Sequence, residues 1–204
     1  MAKISLWIGK GCLSSAIISL IDAFSIANLW HQNLSNERQP LFETRIVSTD
    51  GNPVLAQGNV RLETDMSIDD VDRTDCVVIS PVLPHINPMP EDLEKLCQWL
   101  ERMKAQKSLI ATVCTGSFLL AEMGLLDGKK ATTNWQFASL FKKRFPKVRL
   151  VAEDILTEED NIICTGAATA VNNLAIHLIQ RYGSQKLAVA CAKALLIDPN
   201  RSDQ

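Results

Sequence analysis

The sequence predicts an α/β fold in which a mostly parallel sheet is covered by helices on both faces. Strand-like and helix-like patterns alternate along most of the 204 residues, which is the order typical of parallel strands joined by helices. The runs 76–80 and 108–113 are dominated by apolar side chains with no polar alternation. Strands of that kind are buried on both faces, as they are in the middle of a parallel sheet.

Short apolar or β-branched runs, bounded by turn-forming residues, predict the strands. The turn signal at 50–53 closes one such run and Pro81 closes another. A hairpin is expected over 54–66 and a polar turn over 158–161. The strands predicted in this way are residues 3–8, 42–48, 76–80, 108–113, 130–133, 148–152 and 162–164.

Capping residues mark where the helices begin, and apolar side chains three and four positions apart mark their buried faces. Ser14 and Ser15 offer N-caps for the first helix. Pro90, followed by two acidic residues, opens another helix in the orientation that the helix dipole favours. The predicted helices run from 14 to about 28, from 90 onwards, from 116 to near 124, from about 135 to 145, from 168 to 182 and from 185 to 197.

The composition is that of a globular domain. Hydrophobic residues make up 47% of the chain and charged residues 22%, close to the average for such domains. The N-terminal apolar stretch is too short for a signal peptide, and no apolar run reaches the ~18 residues that a membrane span requires. We therefore expect a cytoplasmic protein that has no contact with a membrane.

Neither the charges nor the cysteines indicate a nucleic-acid or metal site. The formal net charge is −2, and the one basic stripe, residues 142–149, is interpreted as a solvated helix end. The six cysteines contain no Cys-x-x-Cys pair and no zinc-like spacing with histidine. The thiols are expected to be reduced, and we predict neither a metal nor a cofactor.

The stretch Thr112-Val113-Cys114-Thr115-Gly116 carries the most chemical information. It joins a buried strand directly to a helix, with small residues on both sides of the cysteine. This pattern is typical of a nucleophile elbow, where the backbone bends sharply and pushes the nucleophile into a cleft. A thiol placed at a helix N-terminus is expected to have a lowered pKa.

The same stretch shows a family resemblance. Residues 113–135 resemble the PfpI-like branch of the class I glutamine amidotransferase-like superfamily. Together with 11–24 and 188–201, they resemble the N-terminal domain of AraC/XylS-type transcription regulators. The resemblance implies a flavodoxin-like three-layer sandwich, usually dimeric. It also implies a ligand-sensing domain over 1–197 and a linker-like tail over 198–204, which would lead to a helix-turn-helix domain absent from this chain.

Four departures from the enzymatic relatives argue against catalysis. In those relatives an acidic side chain approaches the thiol, and the matching position here is Ala16. Histidines are common at the positions held here by Asn134 and, in the protease-like branch, by Thr115. A Gly-Gly turn that supplies oxyanion donors is matched by Ser80-Pro81-Val82, and proline has no N–H to donate. We therefore predict a domain that is not an enzyme.

With its acid and base missing, such a pocket is expected to bind a small molecule instead of converting it. Neutral donors and helix N-termini suit a small polar or anionic metabolite. The expected partners are this effector, a second copy in a homodimer, and DNA only through the absent C-terminal module. The side chains expected to line the pocket are Ser15, His85, Cys114, Thr115, Asn134 and Thr165.

Two alternatives remain open at this point. A cysteine-dependent hydrolase or an isonitrile-hydratase-like enzyme would pair Cys114 with His85, which follows the strand at 76–80. A redox sensor would oxidise Cys114 to a sulfenate, with Cys12 or Cys164 as the resolving thiol.

Overall fold

The computed structural model describes residues 1–35, 38–82, 93–199 and 201–204. The strands in these ranges are β1 (Ala2–Trp7), β2 (Phe42–Ser48), β3 (Val54–Leu55), β4 (Arg61–Leu62), β5 (Met66–Ser67), β6 (Cys76–Ile79), β7 (Leu109–Val113), β8 (Lys130–Ala131), β9 (Arg149–Leu150), β10 (Leu156–Glu159) and β11 (Ile162–Thr165). The helices are α1 (Ser14–Ser35), α2 (Leu93–Ala105), α3 (Gly116–Glu122), α4 (Ala138–Arg144), α5 (Val171–Tyr182) and α6 (Gln185–Leu195).

The central sheet has the strand order β10-β11-β7-β6-β1-β2-β5. Every neighbouring pair in it is parallel except β10 with β11. Without the two edge strands, the order is that of flavodoxin-like sheets. In such sheets successive strands are added first on one side and then on the other, and this strand order reverses between the first and third strands. Here that switch point lies between β1 and β6, so the loops after Trp7 and Ile79 open at the edge where such folds bind ligands.

Helices cover the sheet on both faces, as expected. Leu6 of β1 and Val78 of β6 point into a core cluster that includes residues of α1, α5 and α6. Val77 and Ile79 point the other way, into a cluster formed with α2, α3 and α4. Alternate residues of one strand thus enter opposite layers, which explains why the sequence of β6 has no polar positions.

The predicted hairpin and the late strands differ from the structure in detail. The hairpin is only β3 with β4, and β5 pairs with β2 instead, parallel at the sheet edge. Glu158 and Glu159 were predicted in a turn, but they end strand β10. The turn itself is Asp160 and Asn161, both with positive φ (50° and 60°), as in the two-residue turns that match the twist of a hairpin.

Helix α1 continues to Ser35, beyond its predicted end near Asn28. The Asn28 amide pairs with the backbone of Phe42, donating to its carbonyl at 2.9 Å and accepting from its N–H at 2.8 Å. The side chain therefore ties α1 to the start of β2 instead of ending the helix. The predicted strands at 130–133 and 148–152 shorten to β8 and β9, which pair parallel in a small sheet of their own.

Candidate functional site

Cys114 occupies a sharp turn between β7 and α3. Its φ is +55°, a conformation that costs a non-glycine residue about 1–3 kcal/mol and persists only where the surroundings hold it. The Cys114 N–H donates to the Thr165 carbonyl at 3.0 Å. Its carbonyl accepts from the hydroxyls of Ser117 (3.0 Å) and Thr133 (3.2 Å). The sharp turn expected at this cysteine is therefore present and braced from three sides.

Gly116 brings the turn against the switch point of the sheet. A Cβ on Gly116 would lie 2.9 Å from the Ile79 carbonyl oxygen and 3.3 Å from that of Ser80. Both neighbours are backbone atoms that cannot rotate away. The start of α3 can therefore reach the end of β6 only because this residue lacks a side chain.

Cys114 is 1% exposed, and its thiol accepts a hydrogen bond from a side-chain amide. Asn134 Nδ2 donates to Cys114 Sγ at 3.6 Å, while Asn134 Oδ1 accepts from the Gln136 N–H at 2.9 Å and so fixes the amide orientation. Burial raises the pKa of the Cys114 thiol, and hydrogen bonds from Asn134 and Thr115 oppose that rise only in part. The expectation of a lowered pKa is therefore wrong, because desolvation outweighs the local donors.

The segment after β6 lies beside the elbow and presents carbonyl groups to it. Thr115 Oγ1 donates to the Val82 carbonyl at 3.3 Å, and the Leu13 N–H donates to the Pro81 carbonyl at 3.2 Å. Cys12 forms an isolated antiparallel bridge with Val82. These described contacts use residues 81–82 as acceptors, whereas an oxyanion requires N–H donors.

The sequence carries the pattern of one protein family along most of its length. The family model described as DJ-1/PfpI matches residues 3–181. The chain belongs to the DJ-1/PfpI family. The sequence resemblance stated above is thereby confirmed, and the flavodoxin-like sheet order agrees with it.

Two relatives of this DJ-1/PfpI chain differ in what they do. The HTH-type transcriptional regulator CdhR of Pseudomonas aeruginosa is 26% identical over 187 residues, which are 92% of this chain and 52% of CdhR. Isonitrile hydratase of Pseudomonas putida is 28% identical over 142 residues, which are 69% of this chain and 60% of the enzyme. The chain spans about half the length of the curated regulators it matches.

A solved structure supports the fold. The crystal structure of an AraC family transcriptional regulator from Pseudomonas putida matches with a TM-score of 0.79 at 18% identity, covering 96% of this chain and 100% of that chain. At this level of identity the match concerns the fold. The three-layer α/β sandwich predicted from the sequence is confirmed.

The structure brings together some of the predicted pocket residues and separates others. Asn134 is half-buried beside the Cys114 thiol, and Thr115 is buried next to it. Thr165 is also buried, but its hydroxyl donates to the Thr112 carbonyl at 3.0 Å, so it supports the elbow through the backbone. Ser15 is exposed in the first turn of α1. His85 lies outside the described residues.

The two cysteines that the redox hypothesis names as resolving thiols lie in different layers of the core. Cys12 belongs to the cluster that contains Cys114, whereas Cys164 belongs to the cluster on the opposite face of the sheet. Burial raises the pKa of both Cys12 and Cys164 to about 11. All six cysteines are free thiols.

Sequence reasoning missed three residues that shape the site. Ser117 and Thr133 brace the Cys114 carbonyl, and both fall inside the stretch that carries the family resemblance. Gln204 inserts its side chain between Thr133 and Gly166. A polar tail residue gives no sequence signal for such a contact.

Other possible sites in the described parts of the chain are limited. A cleft of about 740 Å³ lies between α5, α6 and the tail, with Asn173, His177 and Arg201 among its lining residues. No group of three metal-ligating side chains occurs within residues 1–35, 38–82, 93–199 and 201–204. In the same ranges, no helix combines the length and the apolar character needed to cross a membrane.

Proposed function

We propose that this chain is a non-catalytic sensing domain of a transcriptional regulator and binds a small polar or anionic molecule beside Cys114. The observation that carries the proposal is the partner of the thiol. Asn134 donates to Cys114 Sγ, and a side-chain amide neither takes up nor releases a proton at neutral pH. Within the described residues, burial raises the pKa of this thiol, and the hydrogen bonds that oppose the rise come from the neutral residues Asn134 and Thr115.

The proposed pocket opens at the switch point of the sheet. Cys114, Thr115 and Asn134 are proposed to form its base. Ser15, in the first turn of α1, and His85, which follows β6 in the sequence, are proposed to contact the ligand. Thr165 contributes by holding the elbow from behind. Neutral donors at a strand-to-helix turn fit a carboxylate, amide or phosphate better than a cation.

The regulator role is supported by the relatives and by the lengths of the matched chains. CdhR, an HTH-type transcriptional regulator, matches this chain over 52% of its own length. We propose that DNA is contacted by a separate helix-turn-helix module and not by the domain described here, which would act in the cytoplasm without a cofactor.

The ion pairs of the basic stripe at 142–149 support the proposal that this domain does not contact DNA. Three of its cations lie in ion pairs, so their charge is partly neutralised by neighbouring acids. The pairs are Arg144–Glu122 (2.9 Å), Lys147–Asp127 (3.0 Å) and Arg149–Glu159 (2.6 Å). This chain alone is therefore expected to give no salt-sensitive gel shift with DNA, and a shift at nanomolar protein would contradict the proposal.

We also propose that the domain acts as a homodimer. Helix α1 exposes several large apolar side chains, and their burial against a second copy would be favourable. They are Ile18, Leu29, Trp30 and Leu34, each between 38% and 62% exposed. Light scattering after gel filtration tests this proposal, and a monomer at micromolar concentration would contradict it.

Thermal shift measurements test the sensing role. A ligand at about 100 times its Kd adds about 2.7 kcal/mol to stability, which raises Tm by about 5–10 °C in a domain of this size. The protein is screened against small carboxylates, amides and phosphates.

A stabilising compound is expected to lose its effect in Asn134→Leu and to keep it in Gln136→Leu, the matched control on the exposed neighbour. Steady, Cys114-dependent turnover of any compound would refute the non-catalytic proposal.

The competing function is a cysteine-dependent hydrolase or an isonitrile-hydratase-like enzyme. The observation that favours it is the 28% identity to isonitrile hydratase over 69% of this chain. The enzyme hypothesis predicts that an isonitrile is consumed by the wild type and is not consumed by Cys114→Ser. It also predicts that His85→Ala slows alkylation of Cys114 by iodoacetamide. If Cys114 is labelled as slowly as the other cysteines in the wild type and in His85→Ala, the enzyme hypothesis is wrong.

A further inference from the structure

The segment 201–204 docks back onto the domain. The Ile155 N–H donates to the Ser202 carbonyl at 2.7 Å, and the Gln204 N–H donates to the Glu153 carbonyl at 3.0 Å. Asp154 and Asp203 form an antiparallel bridge between these two contacts. The tail therefore runs as a short added strand along 153–155.

The side chain of Gln204 enters a slot lined by hydrogen-bond acceptors. Its Nε2 lies 2.9 Å from the Thr133 carbonyl, 3.2 Å from Thr132 Oγ1 and 3.4 Å from the Asp154 carbonyl, and it also donates to the Ala152 carbonyl. Its Oε1 is buried and has no hydrogen-bond partner among the described residues. A buried polar atom without a partner is costly. The slot therefore satisfies the N–H donors of the Gln204 amide but not its carbonyl oxygen.

Gly166 forms the opposite wall of the slot. A Cβ at this position would overlap the carboxamide of Gln204. The Gly166 N–H donates to the Ile155 carbonyl at 3.0 Å, so this wall is tied to the strand on which the tail lies. The slot thus exists because residue 166 has no side chain.

The slot and the Cys114 elbow share their supporting residues. Thr133 accepts from Gln204 with its carbonyl and donates to the Cys114 carbonyl with its hydroxyl. Thr165, next to Gly166 in sequence, accepts from the Cys114 N–H. A change in the position of Gln204 therefore acts on two of the groups that hold the elbow.

The other side of the tail borders the cleft of about 740 Å³. Pro199, Arg201 and Ser202 line this cleft together with residues of α5 and α6. The tail therefore contacts the supports of the elbow through Gln204 and lines the cleft with Pro199, Arg201 and Ser202.

We propose that the acceptor-lined slot is a docking site for the Gln204 side chain, and that its occupancy couples the position of the 201–204 tail to the Cys114 elbow. The inference rests on the proposed sensing function for its purpose, because the elbow that the tail supports belongs to the proposed pocket. Its test needs no ligand, so its failure would leave the proposed sensing function standing.

Three variants separate docking from other effects. Gln204→Glu keeps the shape of the side chain but replaces the donor with a charged acceptor, which the carbonyls repel. Gly166→Ala fills the slot from the other side without altering the tail. Asp203→Asn is the control, because this side chain is exposed and the backbone bridge to Asp154 is retained.

Hydrogen exchange of the Ile155 amide reports docking directly, and trypsin cleavage after Arg201 reports it independently. Gln204→Glu and Gly166→Ala are each expected to accelerate both processes by about tenfold or more, the factor that corresponds to 1.4 kcal/mol. Asp203→Asn is expected to change them less than about twofold. Unchanged exchange and cleavage in Gln204→Glu would overturn docking even if Gly166→Ala fails to fold.

Alkylation of Cys114 by iodoacetamide reports the coupling. Tail release in Gln204→Glu is expected to speed labelling at least about threefold, which corresponds to about 0.65 kcal/mol, because the elbow loses part of its support from Thr133. Labelling at the wild-type rate in a variant whose tail is demonstrably released would overturn the coupling while leaving the slot in place.

Discussion

Replacing Asn134 with aspartate tests the electrostatics of the Cys114 thiol most directly. The two side chains have the same shape, and the aspartate keeps the acceptor that caps the Gln136 N–H. The donor to Cys114 Sγ is lost, and a negative charge takes its place at about the same distance, 3.6 Å. The pKa of Cys114, already raised by burial, is expected to rise further because the thiolate would face a carboxylate.

The size of the effect follows from the distance. Two unit charges about 3.6 Å apart interact by about 1 kcal/mol in bulk water and by about 5 kcal/mol at an effective dielectric constant of about 20. Since 1.36 kcal/mol corresponds to about a tenfold change in an ionisation equilibrium, the pKa of Cys114 should rise clearly. At a fixed pH below that pKa, the thiolate population falls by about tenfold to a thousandfold. The alkylation rate falls with it, because the thiolate is the nucleophile.

The assay is iodoacetamide labelling of Cys114, followed by peptide mass spectrometry from about pH 7 to about pH 10. The labelling rate rises with pH through the pKa of the thiol, so the profile of Asn134→Asp should move to higher pH. Gln136→Glu adds the same charge at an exposed neighbour, where solvent screens it, and should change the rate less than about twofold. The electrostatic account of the site fails if Asn134→Asp and the wild type share one profile.

Two further predictions concern the packing that positions the site. Gly116→Ala forces a methyl group against the Ile79 carbonyl and should cost about 1–3 kcal/mol. This cost would lower Tm in a thermal melt by about 2–12 °C, whereas a Tm within about a degree of the wild type would contradict the close approach. Asn28→Ala leaves the Phe42 backbone without its two side-chain partners and should cost about 1–3 kcal/mol. The urea midpoint should fall with an unchanged m-value, and an unchanged midpoint would show that α1 does not need this tie.

Much of the fold was predictable because it depends on local patterns. Strand β2 was predicted over 42–48 and is observed over the same residues. The turn at Cys114 was predicted from its small neighbours and from the strand and helix on either side. Strand β10 was missed because its charged residues resemble a turn in sequence. In the structure, Glu158 is paired with His177 and Arg181 of α5, and such long-range pairing is invisible in a local window.

The contact between Cys114 and Asn134 agrees with the sequence prediction, whereas the direction of the Cys114 pKa shift does not. The elbow cysteine and Asn134 were selected from sequence, and the structure places them in contact. Thr165 was selected as a ligand contact, yet its hydroxyl is engaged by the Thr112 carbonyl. The direction of the Thr165 side chain depends on the register between β7 and β11. That register is not encoded by either strand alone.

The sequence by itself determined most of the alternation of strands and helices along the chain and the position of the bend, because each of these depends on residues close together in the chain. It also determined the family, through motifs that are recognised segment by segment. Only the tertiary structure decided the direction of the Cys114 pKa shift, since desolvation is a sum over atoms contributed by many distant segments. The same holds for the slot filled by Gln204, which joins residues 72 positions apart in sequence. Contacts of that range exist only after the sheet has assembled and brought its walls together.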